Sequence, residues 1–435
     1  MKTVLLIAFF YPPMTNIGAQ RPYRIAKYLP ACAWTPIVLT VKQARQTPLG
    51  ISTVQTDYRD VVGLLKRAAG FNATAGLHEQ LGLVVPKQFA YRGWKGKIIR
   101  SAKDLIAYPD EQKGWRSYAV RAAVELLRTT QVDAIVSTSA PVTCHLIAAR
   151  LKRIVRIPWV ADLRDLWTQN HYYDKGAVIK WCERRLERAT LAGADALVTA
   201  NPQVDELRQL HNHQVIVWIP NGYDPCEFVG ARQRVQEKFT VTYSGTLYNG
   251  KRDPTVLFSA VRNLIRQNRV ARDRIDIRFY GARDAWLEED IARYGLQGVA
   301  RGCGVIPRAE VLKRQRESHV LLLLLWNHEK EANICPGKVY EYLGARRPIV
   351  AVGGSGGAVK RLLEATNGGR MAEDEGALQD IIASYYDEFV KTGDVRSLSN
   401  DKVAEYEYGN VARQYADLLE KVTLTAAGTR HGSRS

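Results

Sequence analysis

Short runs of apolar and β-branched residues alternate along this chain with stretches that have the period of an amphipathic helix. The runs consist largely of apolar and β-branched residues, which predicts strands buried on both faces, as in parallel sheets that are covered by helices. The series pauses at IPNGYDPCEF and at the basic stretch after it, and resumes at Phe239. We therefore predict an α/β fold with two doubly wound, Rossmann-like parallel sheets. The runs are TVLLIAFF, TPIVLT, VDAIVSTS, IPWVADLRD, ADALVTA, VIVWIP, FTVTYSG, IDIRFYG, HVLLLLLW and RPIVAVG.

The length of 435 residues fits two domains of about 200 residues each. We predict an N-terminal domain at 1–228, a C-terminal domain at 239–402, a last helix at 403–424 and a small polar, disordered tail at 425–435. The opening MKTVLLIAFFYPP is expected to be a buried first strand. No apolar run approaches the roughly 20 residues that a bilayer-spanning helix needs, so we expect none.

The formal charge of +18 implies attraction to an anionic partner. Nucleic acid, an acidic membrane face and phosphorylated ligands all satisfy that condition. The six cysteines are scattered, with no C-x-x-C pair and no histidine cluster at metal-ligand spacing. We therefore expect reduced thiols, a cytoplasmic location and no bound metal.

Ligands of doubly wound sheets bind beyond the carboxyl ends of the strands, so residues there are the candidate site residues. Gly18 follows the first strand, where a glycine lets the backbone approach a phosphate, although a tight turn alone also explains it. The absence of G-x-G-x-x-G argues against a nicotinamide or flavin cofactor. Asp162 ends a later strand, where a carboxylate either holds sugar hydroxyls or caps the next helix.

In the second half, Gly245 ends a predicted strand, and Lys251 and Arg252 follow it shortly afterwards. A fixed cation beside a departing diphosphate stabilises the growing negative charge in the transition state. Either of the two cations is a candidate for that role, and Arg252 has the fork geometry for a bidentate phosphate contact. A solvated basic loop is the alternative.

The stretch EANICPGKVYEYLGARRPIV places a Pro-Gly break before a short helix, predicted at 338–345. Val339 and Leu343, at positions i and i+4, form the buried stripe of this helix. Lys338, Glu341 and Tyr342 are then expected off that buried face. A carboxylate here either satisfies the helix dipole or, beside a phosphate site, accepts hydrogen bonds from both ribose hydroxyls.

Six segments, FFYPPMTNIGAQRPYRIAKYLP, PWVADLRDLW, ADALVTANPQ, IPNGYD, SGTLYNGKRDP and PGKVYEYLGARRPIVAV, follow one another over nearly the whole chain. Together they resemble a glycosyltransferase of the GT-B fold, similar to retaining family 4 enzymes of bacterial cell-envelope and polysaccharide assembly. The resemblance implies two domains that face a cleft, with the acceptor on the first and a nucleoside-diphosphate sugar on the second. It also implies a last helix that crosses back to the first domain.

In that family, two acidic residues lie eight positions apart, the first near the donor sugar and the second on the ribose. The second matches Glu341, whereas Asn333 stands at the first position and Glu331 is displaced by two. Asn333 can hydrogen-bond a hydroxyl but carries no charge. The family's glycine loop maps onto Gly18, and its diphosphate-binding basic residue onto Arg252, with Lys338 as a helper.

The resemblance further implies hexosyl transfer with retention of the anomeric configuration, without metal or any other cofactor. In a front-face course, the leaving phosphate helps to deprotonate the acceptor hydroxyl, so no covalent nucleophile is required. The residues assigned to the reaction are Asp162, Arg252 and Lys338, with Asp162 as the carboxylate of interest. Donor binding is assigned to Gly18, Gly245, Lys251, Arg252, Asn333, Lys338 and Glu341.

The segment VPKQFAYRGWKGKIIRSAKDLIAYP interleaves basic and aromatic residues. This composition suits an anionic membrane surface, and it equally suits single-stranded nucleic acid or a solvated helix. Because the segment lies in the implied acceptor domain, we favour a membrane with a lipid-linked saccharide acceptor, and we expect no nucleic-acid partner. The residues assigned to acceptor or membrane contact are Arg92, Trp94, Lys95 and Lys97.

Two rival functions are weighed against this one. An epimerase of the same fold that acts on nucleotide-linked amino sugars would need acid and base groups, for which only His145 and His171 are near strand ends of the first domain. His145 falls in a predicted helix, where it can be an ordinary packed residue. A nucleic-acid-binding protein would explain the charge, but not the ordered strand-end residues.

Overall fold

A computed structural model describes residues 1–44, 50–61, 63, 105–173, 175–211, 215–229, 236–248, 250–281, 285–354, 357–398 and 401–432. The chain divides into two compact units, Met1–Pro220 with Val411–Ser435, and Asn221–Asn410. The predicted acceptor or membrane contacts, Arg92, Trp94, Lys95 and Lys97, lie outside the described residues.

The first unit is built on a parallel sheet. Its described strands are β1 (Lys2–Ile7), β2 (Trp34–Val41), β3 (Ser52–Thr56), β4 (Ala134–Ser139), β5 (Trp159–Leu163), β6 (Ala196–Thr199) and β7 (Val215–Trp218). They are ordered β3-β2-β1-β4-β5-β6-β7, and every pair is parallel. The order reverses between β1 and β4, which places the ligand crevice of such a sheet beyond their carboxyl ends.

Helices cover this sheet and bury its apolar strands. The described helices of the first half are α1 (Gln20–Tyr28), α2 (Arg116–Thr129), α3 (Thr143–Val155), α4 (Ala177–Leu191) and α5 (Val204–Arg208). Every residue of β4, β5 and β6 is buried, as their mostly apolar and β-branched sequences predict. Trp115 and Trp159 are fully buried in the same core, where each supplies a large apolar surface.

The second unit repeats the plan. Its described strands are β8 (Phe239–Ser244), β9 (Ile275–Tyr280), β10 (Ala300–Gly304), β11 (Val320–Leu324), β12 (Ile349–Val352) and β13 (Gly369–Ala372). Their order is β10-β9-β8-β11-β12-β13, again all parallel, and it reverses between β8 and β11. Two doubly wound parallel sheets confirm the predicted fold class. The described helices are α6 (Thr255–Arg266), α7 (Ala285–Arg293), α8 (Arg308–Glu317), α9 (Gly337–Gly344), α10 (Gly357–Thr366) and α11 (Glu375–Thr392).

The first unit ends earlier than the predicted boundary at 228. Tyr223 belongs to the second unit, because its backbone N–H donates to Tyr406 O at 2.9 Å and its carbonyl accepts from Tyr408 N at 3.0 Å. These partners lie far along the chain, so local sequence does not reveal the pairing.

The end of the chain also differs from the prediction. A 3₁₀ helix (Asp401–Tyr406) precedes α12 (Tyr408–Gly432), in place of one helix at 403–424. Residues 425–432, predicted to be disordered, continue α12, since extending an existing helix needs no new nucleus. None of the described helices combines the length and apolarity that crossing a bilayer requires.

Candidate functional site

The candidate site of the second unit lies beyond the carboxyl end of β8, where the strand order reverses. Gly245 follows β8 with φ +123°, a backbone conformation that side chains with a Cβ rarely adopt. An ideal Cβ on Gly245 would lie 2.6 Å from Lys338 Nζ. The glycine therefore lets the Lys338 ammonium sit directly against the backbone at the end of β8.

Gly245→Ala is expected to lower the free energy of unfolding by about 1–3 kcal/mol, because the strained φ remains even if the lysine moves aside. Gly337→Ala is the matched control, since an ideal Cβ there has no neighbour within 4 Å. Denaturant titration of both variants measures the difference. Equal unfolding midpoints would show that residue 245 tolerates a side chain.

Lys338 lies in the first turn of α9 and is half-buried. Its Nζ donates to Tyr243 Oη at 3.0 Å and lies 4.1 Å from the centroid of that ring. Burial, and then the nearby Arg252 guanidinium, lower the pKa of the Lys338 ammonium well below its usual value, against the opposing effect of Glu341. An anion bound here would relieve that electrostatic cost.

The loop after β8 supplies the other cations. The Arg252 guanidinium lies 4.6 Å from the centroid of the Tyr248 ring. Lys251 Nζ lies 4.4 Å from the centroid of Trp326, which follows β11. The structure thus brings Arg252 close to Lys338, while Lys251 is directed towards the end of the neighbouring strand.

Glu341 lies one turn after Lys338 on α9, and both of its carboxylate oxygens have partners. Its Oε2 is 2.8 Å from Arg308 Nη1, and its Oε1 accepts from Gln315 Nε2 at 2.6 Å. Arg308 also pairs with Glu227 at 3.0 Å. Burial alone would lower the pKa of Arg308, but Glu341 and Glu227 raise it above its ordinary value. Arg308 and Gln315 were not among the predicted site residues, because β10, the strand that precedes α8, has no apolar run that would reveal it.

A hydrogen-bond network connects this carboxylate to the end of β8. Gln315 is fully buried and also donates from Nε2 to Ser244 Oγ at 3.0 Å. Ser244 N donates to the hydroxyl of Tyr342 at 2.9 Å. Tyr342 is fully buried, so the prediction that it lies off the buried face of α9 is wrong. The Tyr342 hydroxyl thus accepts a hydrogen bond from the backbone N–H of Ser244, the last residue of β8.

Asn333 is half-buried in the loop between β11 and α9. Its Oδ1 is 3.5 Å from Arg361 Nη2 on α10, a long contact for a hydrogen bond. The backbone of that loop is fixed, since Ala332 O accepts from Ala358 N at 2.7 Å. Asn333 therefore lies beside the start of α10.

In the first unit, Asp162 is fully buried at the end of β5. It accepts from Arg21 Nε at 3.1 Å and from Thr138 Oγ1 at 2.8 Å. Arg21 is itself 2% exposed and donates to Tyr415 Oη and to two main-chain carbonyls after β7, at 2.8–2.9 Å. Burial alone would raise the pKa of Asp162, but Arg21 and the hydrogen bonds hold it below its usual value.

This geometry argues against the prediction of Asp162 as a catalytic residue. A carboxylate that contacts a substrate needs an accessible oxygen, and this one has no exposed surface. The structure instead makes Asp162 the counter-ion of Arg21, and Arg21 in turn holds the main chain after β7 and the Tyr415 side chain in place.

Gly18 is buried in the turn after β1. An ideal Cβ there would lie 2.5 Å from Arg164 Nη1 and 2.9 Å from Asn16 Oδ1. Asn16 Oδ1 accepts from Gly18 N at 2.7 Å. The Arg164 guanidinium therefore occupies the space that a side chain at position 18 would need.

His145 is fully buried on α3, with Nδ1 2.7 Å from Ser137 Oγ. Burial lowers the pKa of its imidazole to about 4. It is a packed residue in this structure. In the part of the chain that the structure describes, no three His, Cys, Asp or Glu side chains are grouped so as to hold a metal ion.

Comparisons with known proteins agree with this architecture. Residues 18–222 match the family model described as "Glycosyl transferase 4-like domain". A glycosyltransferase from Rickettsia africae superimposes with a TM-score of 0.58 at 13% identity, over 97% of this chain and 98% of that one. Sucrose-phosphate synthase from Thermosynechococcus elongatus gives 0.55 at 12% identity, over 99% of each chain.

Anabaena HepE, solved with UDP and glucose, gives a TM-score of 0.53 at 13% identity, over 99% of this chain and 100% of that one. At such identities the likeness establishes the fold. No curated protein matches the chain in sequence.

Proposed function

We propose that this chain, which shares the fold of GT-B glycosyltransferases and matches a glycosyl transferase 4-like domain over residues 18–222, is a glycosyltransferase. It would move a sugar from a nucleoside-diphosphate sugar to a hydroxyl of a lipid-linked or envelope saccharide. The observation that carries the proposal is the convergence of Lys338 and Arg252 beyond β8, one helical turn from the Glu341 carboxylate. HepE, which shares the fold, binds UDP-glucose. The reaction proceeds with retention at the anomeric carbon and without a metal.

The diphosphate of the donor meets three sources of positive potential. Lys338 and Arg252 supply basic side chains, and the N-terminus of α9 adds the positive end of its helix dipole. Gly245 lets the Lys338 ammonium lie directly against the end of β8. These features favour an anion at the position where the sheet places its ligand crevice.

Glu341 binds the ribose in this proposal. A carboxylate only accepts hydrogen bonds, so its two oxygens suit a pair of vicinal hydroxyls. Arg308 and Gln315 fix the carboxylate in place before the donor arrives. Preorganisation of this kind lowers the entropic cost of binding.

Transfer follows a front-face course. The bond between the anomeric carbon and the diphosphate oxygen breaks, and its electron pair stays on the diphosphate. The acceptor oxygen forms a bond to the same face of the carbon, and its proton passes to the leaving phosphate. Lys338 and Arg252 stabilise the negative charge that grows on the leaving group.

We place the protein in the cytoplasm, at the anionic face of a membrane that holds the acceptor. The charge of +18 supports this location, since basic residues near such a surface are attracted to it. A lipid-linked saccharide would then be presented at high local concentration.

Thermal unfolding with UDP, GDP, ADP and dTDP, in the presence of EDTA, tests the donor site. A nucleotide at a hundred times its dissociation constant should add about 2.7 kcal/mol of stability. Glu341→Ala is expected to abolish most of this gain, because the ribose loses its acceptor. Glu364→Ala, an exposed glutamate on α10, is the matched control and should keep it. If no nucleotide stabilises the wild type, the donor site is wrongly assigned.

A further inference from the structure

Helix α4 has one face in the protein and one face in solvent, and the two differ sharply in charge. Both of its acidic residues, Glu183 and Glu187, are fully buried. All of its basic residues are exposed. We propose that the exposed face docks on an anionic lipid bilayer. This face, called the α4 outer face, consists of Val178, Lys180, Trp181, Arg184, Arg185 and Arg188.

The acidic residues are held inside by the loop that follows β5. Glu183 accepts from Trp167 Nε1 at 3.4 Å and pairs with Lys175, while Glu187 accepts from Thr168 N at 3.1 Å. A helix that only faces water usually mixes both signs of charge on its surface. The α4 outer face instead presents cations with no acidic residue of the same helix among them.

The apolar part of the α4 outer face is also exposed. Val178 is 75% exposed and Trp181 is 60% exposed. Positions 178, 181, 185 and 188 follow the i, i+3, i+7, i+10 spacing of a single helical stripe. The Arg185 guanidinium lies 5.0 Å from the centroid of the Trp181 ring. Tryptophan beside arginine matches the headgroup layer, where the ring enters the interface and the charge stays at the phosphates.

Further exposed apolar residues lie in a segment next to α4. Leu105 is 70% exposed, and Ile106 is exposed beside it. The segment that they begin is tied to the start of α4, because Lys175 Nζ donates to Pro109 O at 3.2 Å and also pairs with Glu183. The basic and aromatic sequence at 87–103 precedes Leu105 in the chain. Apolar exposure thus continues beyond the helix itself.

A bilayer fits these residues better than nucleic acid does. Phosphates of either partner would attract the arginines, and bases would stack on Trp181. The aliphatic side chains of Val178, Leu105 and Ile106 offer no stacking face, but they gain from entering the apolar layer of a membrane. Only the bilayer uses both the charges and the aliphatic surface.

Sedimentation with vesicles of phosphatidylglycerol and phosphatidylcholine in equal parts tests the proposal. Changing Arg184, Arg185 and Arg188 together to Gln should weaken binding about a hundredfold, since each basic residue near an anionic surface contributes about fivefold. The matched control changes three exposed arginines of α2 and α3 to Gln, which gives the same net charge. The control residues are Arg128, Arg150 and Arg153.

Val178→Ser with Trp181→Ser should weaken binding about tenfold without changing the net charge, because apolar burial is lost. Equal losses in the two arginine variants would overturn the proposal. A wild-type protein that binds RNA but does not sediment with the vesicles would also overturn it. This inference rests on the proposed function, which places the acceptor in a membrane, but the two proposals are tested by different measurements. Nucleotide stabilisation tests the donor site, and vesicle binding tests α4.

Discussion

Asp162→Ala is expected to lower the free energy of unfolding by about 3–5 kcal/mol, because it leaves a buried guanidinium without its counter-ion. Arg21 is 2% exposed, so water cannot replace the lost carboxylate. Two main-chain carbonyls and the hydroxyl of Tyr415 also accept from Arg21, and these acceptors carry no charge. The loss should appear as a large shift of the denaturation midpoint at neutral pH.

Asp165→Ala provides the control three positions later, where an exposed carboxylate pairs with Arg164 at 3.4 Å. An exposed pair contributes about 0–1 kcal/mol, so this variant should unfold almost as the wild type does. Asp162→Asn separates structure from catalysis. A catalytic carboxylate would lose turnover with unchanged unfolding, and that result would contradict the structural role assigned here.

Acid should remove the contribution of Asp162 in the wild type. The pKa of this carboxyl is lower in the folded protein than its unfolded value of about 3.9. The unfolded state therefore binds more protons in the window between the two values. The stabilisation is fully present above the unfolded pKa and is lost as the pH falls through the folded one. In Asp162→Ala this part of the acid dependence should be missing.

The fold was predictable because burial on both faces leaves a signature in the sequence. The strand β11 is entirely apolar, and β4 and β5 are mostly apolar or small, with Asp162 as the charged exception; the structure buries every residue in all three. The rule that ligands bind beyond strand ends then selected Gly245, Arg252 and, through the next helix, Lys338 and Glu341. The structure brings these charged groups together at the point where the strand order reverses.

The remaining features depend on contacts between distant segments. The sequence around Asp162 does not indicate whether its carboxylate faces solvent or Arg21. The buried cluster around it includes Tyr415, which comes from the far end of the chain. The contact between Gly18 and the Arg164 side chain joins residues 146 positions apart, so the sequence around Gly18 does not reveal it. Arg308 lies at the start of α8, and nothing local indicates that it will pair with Glu341. Tertiary packing decides each of these cases.

Lys338→Met is expected to weaken binding of the preferred nucleoside diphosphate by about 3 kcal/mol, or about a hundredfold in dissociation constant. The variant loses the cation that sits against Gly245, and the bound diphosphate is left with Arg252 alone among the charged groups assigned to it. Lys360→Met is the control, since Lys360 is exposed on the neighbouring helix α10 and pairs with Glu373 at 2.7 Å. Calorimetric titration should give Lys360→Met a dissociation constant close to that of the wild type, and Lys338→Met one that is about a hundredfold weaker.

The same substitution should leave the ligand-free protein at least as stable as the wild type at neutral pH, because burial and Arg252 make the Lys338 charge unfavourable. The pKa of Lys338 in the folded protein is below its unfolded value of about 10.4, so the unfolded state binds more protons in that window. Wild-type stability should therefore gain from the deprotonation of Lys338 as the pH rises through the window, and Lys338→Met should lack that gain. A variant that unfolds more easily but still binds the nucleotide would make Lys338 a structural residue. Weaker binding together with unimpaired stability would instead mean that the fold tolerates an unfavourable charge at this position, where the donor phosphates use it.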